Sequence, residues 1–193
     1  MYALGLVHQR EPDERLKAAL YSALDYMSEK LSLNSQGMVS YMPADGTSSI
    51  GHGQLLDNSW AALAFITGYE LGKNRKYLER FEGIYRYLKS ALSIKAVQAY
   101  RTWSVPEAKN LRDSEKISEA VPLEGNAVLA LALAKAARIT GDRTLEKEAR
   151  VLAGVLSRVD PVLLDENQDD SVKLYLQGLT PQMRALDLIL KNK

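Results

Sequence analysis

An all-α fold of consecutive helical hairpins is predicted by three features of this 193-residue sequence. Apolar residues recur at helical spacing, nearly all-apolar stretches alternate with amphipathic ones, and that pair returns at an offset of 68 residues. Laid over one another without a gap, 54–88 and 122–156 share Leu55/Leu123, Asn58/Asn126, Ala62/Ala130, Leu63/Leu131, Ala64/Ala132, Arg75/Arg143 and Leu88/Leu156. The unit is a buried helix, a tight turn and an amphipathic outer helix.

Taken in order, Pro12 and Asp13 open the first predicted helix, with proline in the first turn, where its missing N–H is no loss. Leu16, Leu20, Ala23, Leu24, Met27 and Leu31 then line one face, which makes 12–32 the outer helix of an earlier hairpin. Met38 to Met42 forms a short extended segment, and Pro43 to Gly53 a loop. The next helix starts near Asp57 and is apolar nearly all round, hence buried. Gly72 is placed for a left-handed C-cap before an amphipathic helix carrying Tyr77, Phe81, Ile84 and Leu88. Residues 122–140 and 143–158 repeat the pair across Gly141-Asp142. Thr180-Pro181 starts a last helix.

Composition excludes several function classes. Twenty-five basic residues against 24 acidic ones, a net charge of +1, provide no electrostatic footprint for nucleic acid. The absence of cysteine removes disulfide, thiol and thiolate-metal chemistry and fits a cytoplasmic protein. Only His8 and His52 are available as imidazole ligands, and the acidic run from Asp165 to Asp170 lacks calcium-loop spacing, so no metal and no cofactor is expected. Met1–Val7 lacks the basic start and length of a signal segment, and no apolar run is long enough for a membrane span. One domain over 1–193 is expected.

Links from inner to outer helices are two or three residues long, whereas the outer-to-inner links (33–53, 92–121 and 159–170) are much longer. All the long ones must emerge at one end of the hairpin stack, the end carrying the N-termini of the buried helices. Long ordered loops carry function more often than short ones, so this rim is the predicted site face.

Two segments on that rim resemble a known family. Gly53-Gln54-Leu55-Leu56-Asp57-Asn58-Ser59-Trp60, continuing to Tyr69-Glu70, is similar to a G-F-L-[DE]-D-Y-A-F…L-Y-E motif. Pro122-Leu123-Glu124-Gly125-Asn126-Ala127-Val128, continuing to Thr140-Gly141-Asp142, is similar to P-S-G-N-[SA]-V…T-G-D. Both motifs belong to the toroidal domain of the spermatogenesis-associated protein 20 / YyaL family, which joins a thioredoxin-like domain to a six-hairpin, glycosidase-like α/α toroid. The resemblance covers roughly 50–160 and implies a partial toroid of this kind. The departures are Leu56 in place of a second acid, Asn58 in place of an aromatic, and Leu123-Glu124 in place of the P-S-G-N serine. This chain shows no thioredoxin-like portion, so no redox role carries over. A complete ring needs more hairpins than the sequence holds, so either the chain is a split or truncated relative or a second copy closes the ring.

Asp57 and Glu124 stand at nearly equivalent positions of successive repeats. Two acids across a cleft suit glycosidic chemistry, one protonating the leaving oxygen while the other activates water or attacks. Equally, an acid in a first helical turn caps N–H groups and complements the dipole, contributing ~0.5–2 kcal/mol without catalysis. Asn58 and Asn126 read either as ligand contacts or as caps. Tyr41, His52, Trp60, Tyr100 and Trp103 lie on or beside the long loops, where aromatic faces suit sugar stacking or plug the core. By fold analogy the chain is a carbohydrate-binding or carbohydrate-processing domain, glycosidase- or sugar-epimerase-like if catalytic. The alternative is a non-catalytic helical-repeat module, acting through self-association or a protein partner, with a homo-oligomer expected because incomplete arrays leave apolar faces uncovered.

Overall fold

The computed structural model of the chain describes residues 1–33, 37–38, 53–102 and 122–156. These form three successive helical hairpins: α1 (Tyr2–Arg10) with α2 (Glu14–Lys30), α3 (Leu55–Gly72) with α4 (Arg75–Tyr87), and α5 (Leu123–Thr140) with α6 (Arg143–Leu156). A π-helical turn, Leu88–Leu92, prolongs α4. Two small antiparallel hairpins follow the outer helices: β1 (Ser32–Leu33) with β2 (Gly37–Met38), and β3 (Ser93–Ile94) with β4 (Ala99–Tyr100). The alternation of buried and half-buried helices agrees with the sequence. The start of the first hairpin differs: Met1–Val7 belongs to an inner helix, α1, that its sequence alone did not announce.

Local chemistry fixes most ends. Asp13 caps α2, its side chain accepting from the Arg15 N–H at 2.7 Å, so Pro12 precedes the cap rather than occupying the first turn. Asn74 caps α4 in the same way through the Lys76 N–H, and Asp142 accepts from the Thr144 N–H at the start of α6. The left-handed residue closing α3 is Lys73 (φ 52°), not Gly72. Gly72 is small for another reason: a Cβ there would lie 2.1 Å from the Tyr21 hydroxyl of α2. At the equivalent place after α5, Gly141 takes the left-handed conformation (φ 77°) itself.

The inner helices run parallel and in register. α1 lies along α3, with Tyr2 near Trp60, Gly5 against Thr67, and Gln9 bonded to Glu70. α5 lies along α3 in the same sense, with Gly125 against Leu55 at one end and Arg138 bonded to Glu70 at 2.9 Å at the other. A helix flanked on several sides has no solvent face, which is why Leu63, Phe65 and Ile66 of α3, and Val128, Leu129 and Leu133 of α5, are fully buried. Each such side chain contributes about 1.5–3 kcal/mol of burial. The outer helices cover this layer with single stripes, Tyr77, Phe81 and Ile84 on α4 and Leu145, Ala149 and Leu152 on α6.

At the rim where α3 and α5 begin, each β-hairpin is gripped by an asparagine. The Asn58 amide accepts from the Met38 N–H at 2.7 Å and donates to the Met38 carbonyl at 2.9 Å and to the Gln54 carbonyl at 2.8 Å. Asn126 does the same to Tyr100, at 2.9 Å both ways, and to the Pro122 carbonyl at 2.8 Å. Neither is a helix cap, since the side-chain oxygen serves another segment's N–H. The outer helices take hold of the same hairpins from the other side. Arg80 bonds Ser32, the Gly37 carbonyl and the Met38 sulfur, while Glu148 accepts the Tyr100 hydroxyl. Residues 80 and 148 are themselves one repeat apart, so an arginine and a glutamate perform one anchoring task.

Asn58→Leu and Asn126→Leu are each expected to cost about 3 kcal/mol in urea unfolding, because every buried polar group left unpaired costs about 1–3 kcal/mol. A loss below about 1 kcal/mol, the size of an exposed cap, would contradict the gripping role.

Candidate functional site

One face of α3 opens onto a cavity at this rim. Asp57, Trp60, Ala61 and Ala64 follow the i, i+3, i+4, i+7 spacing that stacks side chains on one helix face. With Met1, Tyr2 and Ala3 of α1, Met27 and Leu31 from the end of α2, and Met38 of β2, they line a cavity of about 520 Å³. The two alanines leave the space; larger side chains there would fill it. Trp60 leans on Tyr2, with ring centroids 6.3 Å apart at 45°. Because Asn58 holds the Met38 backbone, it also sets the position of the Met38 side chain in the cavity wall. Asp57 and Trp60 are both partly exposed, and among the described residues Asp57 has the sole charged side chain in the lining.

The structure thus brings Asp57 and Trp60 together. Glu124 lies in the first turn of the neighbouring α5 and is not part of this lining. Its turn packs on the first turn of α3 through Gly125 and Leu55, where a Cβ on the glycine would fall 2.8 Å from the leucine Cγ. Asn58 and Asn126 are fully buried with their amides bonded to backbone. Tyr100 is 3% exposed and its hydroxyl donates to Glu148. Tyr41, His52 and Trp103 lie outside the described residues.

Two charged clusters brace the site from farther off. Glu70 of α3 meets Lys135 of α5 at 2.5 Å, Arg138 at 2.9 Å and Gln9 of α1 at 2.6 Å, tying all three inner helices together. Burial pushes the Glu70 carboxyl up, but the hydrogen bond and charge of Lys135, with Gln9 and Arg138, outweigh it and hold the pKa below the ordinary range. In the outer layer, Glu148 accepts from Tyr85, Tyr100 and Lys89, the last at 2.7 Å. Its carboxyl too is held low against the opposing effect of burial, while burial and the carboxylate push the Tyr85 phenol up to about 12. Sequence inspection met Glu70 only as the end of a motif and passed over Glu148. The signal for Glu148 was its place among Leu145, Ala149 and Leu152, on the edge of an apolar stripe where an unpaired charge would be costly. Among the described residues no cluster of three His, Asp or Glu is arranged to hold a metal, and no helix is long and apolar enough to cross a membrane.

No protein-family model matches the sequence, and no curated protein matches it. Among solved structures the chain is similar to a D-mannose isomerase, with a TM-score of 0.62 at 15% identity, over 79% of this chain and 37% of that one. It is also similar to the cellobiose 2-epimerase from Bacillus thermoamylovorans B4167, with a TM-score of 0.65 at 12% identity, over 80% of this chain and 41% of that one. At such identities the likeness shows the fold: a partial α/α toroid of the six-hairpin glycosidase-like kind. The chain spans well under half the length of these proteins.

Glu70 and Glu148 have depressed pKa values, so their stabilisation is complete above the ordinary glutamate value of 4.5 and is lost as pH falls through the lower folded values. Urea midpoints are therefore expected to drop steadily below about pH 4.5. Glu70→Gln, which leaves Lys135 buried without its counter-charge, is expected to lose about 3 kcal/mol at neutral pH and to show a flatter acid limb. An unchanged acid limb in Glu70→Gln would contradict this assignment.

Proposed function

We propose that this chain binds a carbohydrate at the N-terminal rim of its inner helices, with the Asp57 carboxylate and the Trp60 ring as its principal contacts. The observation that carries this reading is their shared cavity of about 520 Å³, within the range of small-molecule sites. A sugar ring presents C–H groups on its faces and hydroxyls around its edge. An indole supports the first, and a carboxylate accepts from two of the second. The toroidal fold, similar to that of a sugar isomerase and a sugar epimerase, supports the ligand class.

A proton-handling step extends the same reading, with Asp57 and Glu124 as acid and base once a sugar lies over the starts of α3 and α5. The motifs at Gly53–Trp60 and Pro122–Val128 support placing the chain beside the toroidal domain of the spermatogenesis-associated protein 20 / YyaL family. A cysteine-free composition supports a cytoplasmic setting. A second reading, self-association, is favoured by one observation: α1, the first inner helix described, exposes Leu6 at 39% and Val7 at 48%. A second copy covering them would remove that apolar area from water. Light scattering tests it, and a monomer at all concentrations would end it.

Titration of mannose, glucose and cellobiose by calorimetry and tryptophan fluorescence tests the binding reading. Saturable binding of at least one is expected, weakened about tenfold or more (~1.4 kcal/mol) in Asp57→Asn and lost in Trp60→Ala. Asp57→Asn should cost only about 0.3–1 kcal/mol in stability, the size of a helix-dipole contribution. Saturable binding that both variants retain at full strength would overturn the assignment of this cavity, and no binding at millimolar sugar would overturn the ligand class.

A further inference from the structure

A second cavity, of about 460 Å³, lies in the outer layer between the end of α4, the β3–β4 hairpin and α6, and shares no residue with the rim cavity. Its floor is apolar: Ile94, Ala99, Val151 and Leu152. Its polar lining is strongly one-sided, with Lys89, Lys95 and Lys147 against a single acid, Glu148. In a chain whose net charge is only +1, this is a local concentration of positive charge. The acid is spent, because both oxygens of Glu148 already accept from Tyr85, Tyr100 and Lys89. Lys95 and Lys147 are exposed, and among the described residues neither makes an ion pair.

Two backbone irregularities meet at the same place. The π-helical turn Leu88–Leu92 carries Lys89, and such turns concentrate at functional sites. Gln98, at the tip of the β3–β4 hairpin, sits in the left-handed region (φ 55°) although it is not glycine, a conformation that costs free energy and persists only where the surroundings hold it.

We propose that this cleft binds a small amphiphilic anion, an acyl or aryl body seated on Ile94, Ala99, Val151 and Leu152 with an anionic head between Lys95 and Lys147. The body removes the apolar floor from water, and the head meets two ammonium groups that make no ion pair among the described residues. Lys89 closes the inner edge, fixed there by Glu148. The cleft joins two consecutive hairpins, so a ligand seated in it also bridges α4 and α6. The site is independent of the carbohydrate reading and stands or falls apart from it.

The test uses the full chain, with methyl chemical shifts recorded during titration by decanoate, by decyl phosphate and by the neutral decan-1-ol. Saturable shifts at the methyls of Ile94, Val151 and Leu152 are expected for at least one of the anions, and the tighter of the two identifies the head. Lys95→Glu with Lys147→Glu, both on the surface and therefore neutral for folding, should weaken binding about tenfold or more, as should removal of the charge in decan-1-ol. Val151→Trp, which fills the cleft, should abolish the shifts while leaving the lysines in place. Binding that survives the double charge reversal, shifts centred on Met27, Leu31 and Ala61 of the other cavity, or no saturable binding by either anion would each overturn the proposal.

Discussion

The close parallel approach of the inner helices is the constraint on which the rest of this structure depends. Gly5 lies against Thr67, where a Cβ would come within 2.4 Å of the threonine methyl, and Gly125 lies against Leu55. Backbones that near leave no freedom in register, so α1, α3 and α5 start side by side at one rim. The salt bridge of Glu70 to Arg138, residues one repeat apart, holds the same register at the opposite end. Were the helices antiparallel, the wide crossings would be divided between two ends and no single site face would exist.

From that register the rim builds itself. Asparagines at equivalent positions of α3 and α5 each complete both backbone hydrogen bonds of one residue of the preceding hairpin, as a neighbouring strand would. The Thr102 carbonyl, just beyond the second hairpin, then accepts from the Leu55 N–H at 3.0 Å, satisfying a donor that the start of α3 leaves open. The hairpins supply walls: Met38 to the rim cavity, and Ile94, Gln98 and Ala99 to the cleft between α4 and α6. Two cavities of different character thus come from one repeated device. Among the described residues, one is apolar with the Asp57 carboxylate, the other apolar with the exposed ammonium groups of Lys95 and Lys147.

Much of this was legible in the sequence, for a definable reason. α3 and α5 touch neighbours on several sides and an outer helix on one, so α3 and α5 read as nearly continuous apolar runs and α4 and α6 as stripes. What escaped depends on tertiary partners. α1 has nine residues with Gly5 in the middle, too little pattern to declare a helix, and its identity comes from lying on α3. Asn58 and Asn126 occupy positions where an amide reads as a cap, and only the presence of the hairpins shows that they face outward to another segment. Gly72 looked like a cap and is instead a clearance for Tyr21. Arg80 and Glu148 share a task without sharing chemistry, which no comparison of residue types would pair. Of the residues nominated for the site, Asp57 and Trp60 share a helix face and line one cavity, a pairing that their separate nominations did not foresee. The position of Tyr100 beside a loop says nothing about which way its ring turns, and its hydroxyl bond to Glu148 is a tertiary feature.

The most direct measurement of the central claim is the separation of spin labels on paired cysteines, which the cysteine-free sequence accepts without background. Lys73 and Asp142 follow the C-terminal ends of α3 and α5, and Glu124 lies in the first turn of α5. With parallel inner helices, Lys73→Cys/Asp142→Cys should be the close pair, separated by little more than the about 8–10 Å between packed helices plus the labels. Lys73→Cys/Glu124→Cys should be the distant one, its labels also offset by the length of an 18-residue helix, about 27 Å. The reverse order, with 73/124 close and 73/142 far, would contradict a common rim and the site built on it.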